Sequence, residues 1–154
     1  MKKLLATLAI VLVVLITGCK KDQTLGKVGV CPLVVSTIPI DKAVDVPLNQ
    51  IVSATFNERM NPATITGASY TLTGASTIAG TISFGGTTVT IASFTPDIPL
   101  TPYTKYTGLI KTSVKDLMGN ALQADYVWTF TTIPQVTLGD LNLIIPVLPQ
   151  AWHD

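Results

Sequence analysis

Tyr126-Val127-Trp128-Thr129-Phe130-Thr131 decides how this chain folds. Aromatic rings recur at every second position, and Val127, Thr129 and Thr131 alternate with them. A period of two is the signature of a strand with one face in a core and the other turned to solvent. The same alternation repeats upstream. Ile51 to Phe56 sets Val52, Ala54 and Phe56 on one face and Ser53 and Thr55 on the other. Ser69 to Thr73 points Tyr70 and Leu72 inward, Gly80 to Phe84 points Ile82 and Phe84 inward, and Thr87 to Ile91 points Val89 and Ile91 inward. Leu33 to Ile38, closed by Pro39, and Tyr106 to Thr112 complete the set. Gly85-Gly86 reads as a tight hairpin turn. Threonine is abundant throughout, and β-branched residues suit a half-buried pleated surface. No stretch sustains helical periodicity; the best candidate is one turn near Pro62 to Ile65. The expected fold is all-β: one antiparallel sandwich of about seven strands, whose two sheets each bury one face.

Outward from this region, the N-terminus has a different character. Met1-Lys2-Lys3 is followed by Leu4 to Ile16, apolar apart from Thr7. A basic start and a short apolar core make a secretory signal, and the core is shorter than the ~20 residues of a membrane-spanning helix. The run ends in Leu15-Ile16-Thr17-Gly18-Cys19, which resembles a bacterial lipobox. The resemblance implies cleavage before Cys19, acylation of its sulfur, and a membrane partnership through the lipid. Lys20-Lys21-Asp22 resembles the charged start of surface-exposed lipoproteins of the Bacteroidetes type. The chain therefore divides into a signal peptide (1–18), a polar glycine-containing tether (19–30), the sandwich (31–132) and an irregular tail (133–154). The expected location is the outer membrane or cell surface.

Cleavage removes Lys2 and Lys3 and leaves eight basic residues against nine acidic ones, which argues against nucleic acid as a partner. The only other cysteine is Cys31. With Cys19 acylated no internal disulfide forms, so Cys31 is expected to be a small buried apolar residue.

Three blocks carry a family likeness. The first is Pro39-Ile40-Asp41-Lys42-Ala43-Val44-Asp45-Val46-Pro47, leading to Ala54-Thr55-Phe56-Asn57-Glu58-Arg59-Met60-Asn61-Pro62. The second is Leu100-Thr101-Pro102-Tyr103-Thr104-Lys105-Tyr106. The third is Lys115-Asp116-Leu117-Met118-Gly119-Asn120-Ala121-Leu122, ending in Trp128-Thr129-Phe130-Thr131-Thr132. Together they resemble the SbsA-type Ig-like domains of bacterial surface proteins. The resemblance implies a spacer or adhesion module without chemistry of its own. Physically, Phe56 anchors the core, Asn57 to Met60 turn the chain out of its strand, and Met60 fills a gap. Tyr106 opens a strand where its hydroxyl reaches back to the backbone. Asp116, Gly119 and Asn120 form a loop in which Gly119 supplies positive φ and Asp116 satisfies backbone donors. Trp128 and Phe130 fill the core.

Pro134-Gln135-Val136-Thr137-Leu138-Gly139 resembles the start of an ice-binding β-solenoid, and the residues after it depart from that pattern. This raises a second reading, a remnant of an ice-binding or adhesion protein. A third is a glycan- or calcium-binding module, suggested by the threonine-rich outer faces and by Asp41, Asp45, Asp116 and Asn120. Against the calcium reading, neither loop has the dense acidic spacing of a calcium site. The single histidine, His153, lies two residues from the end. Neither a metal centre nor a Ser-His-Asp arrangement is expected, nor any cofactor.

Overall fold

The structure, a computed structural model of the chain, describes residues 30–85 and 89–134. The expected signal peptide, Cys19, the tether up to residue 29 and the tail from residue 135 lie outside them.

Among the described residues, eight strands form two packed sheets: β1 (Val34–Ile38), β2 (Ala43–Val46), β3 (Val52–Phe56), β4 (Tyr70–Thr73), β5 (Gly80–Gly85), β6 (Ile91–Pro96), β7 (Lys105–Ile110) and β8 (Tyr126–Thr132). One sheet runs β1-β3-β6-β5 and the other β2-β8-β7-β4. A single 3₁₀ turn, Pro62–Thr64, follows β3 and is capped by Asn61, whose side chain accepts from the Ala63 N–H. The architecture is an all-β Ig-like sandwich.

The sequence predicts about seven strands and the described residues form eight; the additional strand has a physical origin. Pro39 carries no N–H and ends β1. The chain then crosses to the other sheet: the Lys42 N–H donates to the Thr129 carbonyl at 2.6 Å, and the Asp41 carboxylate accepts from the Thr129 N–H at 2.9 Å. β1 and β2 are thus two halves of one edge segment that changes sheet. Because β2 keeps the heading of β1, it lies parallel to β8, the one exception to the antiparallel pairing expected.

A second correction concerns β6. Alternation predicts a strand at Thr87 to Ile91 with Val89 and Ile91 inward. The strand instead starts at Ile91, and Ala92 and Phe94 point inward. Val89 precedes it with φ 45°; Gly85 of the expected Gly85-Gly86 turn ends β5, and Gly86 lies outside the described residues. The expected extension of β7 to Thr112 stops at Ile110. There Asp125 accepts from the Thr112 N–H at 2.7 Å and closes a turn.

The core lies between the sheets. Val52, Ala54 and Phe56 from β3 meet Ala92 and Phe94 from β6, Tyr70 and Leu72 from β4, Tyr106 and Ile110 from β7, and Trp128 and Phe130 from β8, all of them buried. Tyr126, Ile82 and Phe84 pack on its margin half-buried. Tyr106 and Phe130 stack at 5.5 Å, and Tyr70 tilts against both Phe94 at 5.9 Å and Trp128 at 6.1 Å. Gly108 pairs with Trp128 across β7 and β8, and a methyl group at Gly108 would run into the indole.

The direction of travel positions everything that follows. The incoming segment reaches β1 beside the start of β8, where Leu33 and Val34 share a groove with Leu122 to Tyr126. β8 then runs the length of the sandwich. At its far end the Ile133 N–H donates to the Val46 carbonyl at 3.0 Å, and the Ile133 carbonyl accepts from the Tyr103 N–H at 3.0 Å. The chain therefore enters at one end of the sandwich and leaves at the other.

Candidate functional site

Among the described residues, those singled out in the sequence fall into three places. At the end where the chain enters, the loops after β3 and before β8 interlock. Met60 bridges Asp116, the Asn61 N–H donates to the Lys115 carbonyl at 2.9 Å and the Leu117 N–H to the Arg59 carbonyl at 3.0 Å. Met60 is fully buried among these loops. Asp116 is buried as well. Its Oδ1 accepts from the N–H groups of Met118 and Asn120, both at 2.8 Å, and its Oδ2 from Asn120 Nδ2 at 2.7 Å. Gly119 sits between them at φ 85°, a conformation costly to other residues. Every acceptor of this carboxylate thus holds its own loop.

Asn57 acts on the incoming segment. Its Oδ1 accepts from the Leu33 N–H at 2.6 Å and its Nδ2 donates to the Cys31 carbonyl at 3.1 Å. Its backbone N–H donates to the Leu33 carbonyl at 3.1 Å. The side chain therefore fastens residues 31–33 onto the sandwich before β1 begins.

At the opposite end, the Tyr106 hydroxyl accepts from the Thr101 N–H at 2.8 Å. Thr132 completes this knot: its hydroxyl donates to the Thr101 carbonyl at 2.7 Å and accepts from the Thr104 N–H at 3.0 Å. Thr132 is not foreseeable from sequence, since a threonine ending a threonine-rich strand gives no signal of burial. Phe56, Trp128 and Phe130 belong to the core.

Cys31 requires a correction. It is half-buried and disulfide-bonded, whereas a buried thiol was expected. The sequence holds one other cysteine, Cys19, outside the described residues. An acylated Cys19 has no thiol left, so in an acylated chain the Cys31 disulfide would have to join a sulfur of another molecule.

The carboxylates do not converge. Asp41, Asp116 and Asp125 each accept from backbone N–H groups in separate places. Among the described residues, no three His, Cys, Asp or Glu side chains gather as a metal site would require. Two shallow grooves lie at the two ends. One, of about 320 Å³, runs between Leu33-Val34 and Leu122 to Tyr126; the other, of about 210 Å³, between Leu48-Asn49 and Thr95 to Pro99. Each offers a single carboxylate and apolar walls. What this arrangement offers is surface: two loop-covered ends and two outer sheet faces rich in hydroxyls.

Residues 30–132 match the bacterial Ig-like domain family. The chain belongs to that family. Solved structures share the fold at low identity. The S-layer protein rSbsC(31-844) is similar over 70% of this chain and 14% of its own, with 19% identity and a TM-score of 0.52. PcoC, a methionine-rich copper resistance protein from Escherichia coli, is similar over 67% of this chain and 99% of its own, with 15% identity and a TM-score of 0.55. The E. coli alpha-2-macroglobulin is similar over 70% of this chain and 6% of its own, with 16% identity and a TM-score of 0.53. No curated protein matches the chain. The Ig-like domain thus matches a small part of the long S-layer and macroglobulin chains and nearly the whole of the copper resistance protein.

Proposed function

We propose that this protein is a non-catalytic spacer module of the bacterial cell envelope, tethered to a membrane through an acyl group on Cys19. The observation that carries the reading is the placement of the chain's two exits at opposite ends of a stiff sandwich. A domain that receives its tether at one end and passes the chain on at the other adds its own length between anchor and whatever follows. The side chains named above serve this purpose: Asn57 fixes the incoming segment and Thr132 the outgoing one, so neither end frays under the connection. The S-layer protein, whose fold is similar, is a surface-layer component by its name, which agrees with an envelope setting.

The test is intact mass and membrane fractionation of the chain expressed with its own leader in a bacterial host, beside a Cys19→Ser variant. The expected result is a wild type that gains acyl mass and pellets with membranes, while the variant stays soluble and unmodified. A wild type that stays soluble and unmodified sinks the anchor. The module would then be freely secreted.

A further inference from the structure

The sandwich has four edge strands, and three of them are closed to further pairing. β1 is broken by a bulge between Val34 and Ser36 and ended by Pro39. β2 has four residues, carries Asp45 at φ 56° and pairs irregularly with β8. β4 also has four residues and is covered by its own return: Thr73 bridges Thr77, and the Ile78 N–H donates to the Leu72 carbonyl at 2.8 Å. Bulges, brevity, charge and cover are the devices by which sheet proteins avoid edge-to-edge pairing.

β5 has none of them. It pairs with β6 in unbroken register from Gly80 to Gly85, and among the described residues nothing pairs with its other side. Its sequence, Gly-Thr-Ile-Ser-Phe-Gly, holds neither charge nor proline. The phase of the ladder shows which groups face outward. The Asp97 N–H donates to the Ala79 carbonyl at 3.0 Å, so residues of that parity (79, 81, 83, 85) bond inward to β6, and Gly80, Ile82 and Phe84 direct their N–H and C=O groups to the open side.

We propose that this edge pairs antiparallel with the β5 edge of a second copy of this chain, across a two-fold axis at Ser83. The strand is complementary to itself in that register. Ile82 of one copy lies opposite Phe84 of the other, and each of these two pairs exchanges two backbone hydrogen bonds. Ser83 faces Ser83, and Thr81 faces Gly85. Core-facing residues meet core-facing residues, so the inner faces remain aligned and the four-stranded sheet becomes one of eight. With no charge on the strand, no like charges oppose each other across the axis. An isologous contact of this kind closes on itself and stops at two copies. The inference is independent of how the protein is anchored.

The test is oxidative cross-linking of the full chain in whole bacterial cells. Residues opposed at a non-hydrogen-bonded antiparallel pair have Cα atoms about 4.5 Å apart, within disulfide range. Ser83→Cys is compared with Val127→Cys, an exposed position on the outer face of the other sheet. After treatment with diamide, non-reducing electrophoresis is expected to show Ser83→Cys as a species of twice the chain's mass, at least ten-fold above Val127→Cys. Equal cross-linking of the two variants, no cross-linked species for Ser83→Cys, or one joined to a different protein would each overturn the pairing.

Discussion

The Tyr70 hydroxyl spans the two sheets, donating to the Val52 carbonyl at 2.8 Å in the buried core. Burial raises its pKa well above the usual 10.0, because the phenolate would have to form away from water. The sign of the consequence follows. Above pH 10 the unfolded chain releases this proton while the folded chain keeps it, so the tyrosine's contribution is complete below pH 10 and lost as pH rises beyond it. Tyr70→Phe is expected to cost about 1 kcal/mol at neutral pH through the lost hydrogen bond, and to show a shallower fall in stability between pH 9 and 11 than the wild type. Urea unfolding across that range checks it, and equal slopes would reject the assignment. Gly108 sets a steric limit of the same locality. Gly108→Ala forces a methyl group into the Trp128 ring from the neighbouring strand and is expected to destabilise the fold by about 1–3 kcal/mol. Thermal unfolding measures it, and an unchanged melting point would mean that the indole moves aside freely.

Elements built by alternation were legible from sequence; those built by backbone conformation were not. Val52 to Phe56 and Tyr126 to Phe130 declare their inward faces because large apolar side chains mark every second position. β2 stayed hidden because Ala43-Val44-Asp45-Val46 places a charge within four residues, and its docking rests on the Asp41 carboxylate and the Lys42 N–H. β6 was misplaced because Thr87 to Ile91 alternates as well as Ile91 to Pro96 does, and only the pairing with β3 selects Ala92 and Phe94. The Asp116 loop was legible as a turn, though the burial of its carboxylate was not, since burial depends on the distant Met60. That burial makes a prediction for the loop as an element. Asp116→Ala leaves the N–H groups of Met118 and Asn120 without their acceptor and is expected to cost about 2 kcal/mol or more. Asp116→Asn keeps one acceptor but turns an amide toward Asn120 Nδ2, donor against donor, and should recover only part of the loss. Full recovery in Asp116→Asn would show that Oδ2 contributes nothing. Chemical denaturation of the three proteins gives the ranking.

At the scale of the whole molecule, the proposed spacer role and a binding role make different demands. A binding module depends on the chemistry of its faces, whereas a spacer depends on length and on where the chain enters and leaves. Strands rise roughly 3.4 Å per residue, so β8 alone carries the chain about 20 Å from one end to the other. The sandwich adds a fixed distance. An epitope placed after Pro134 should therefore be open to antibody on intact cells, and deletion of 31–132 should bring it close to the membrane and reduce labelling. An unrelated stable domain with exits at opposite ends and a similar length should restore the labelling, while one whose exits lie side by side should not. Flow cytometry with matched expression levels reads all four proteins. Restoration by both replacement domains would mean that bulk alone is sufficient. Failure of both would mean that the surface of this sandwich, and not its span, is what the cell uses.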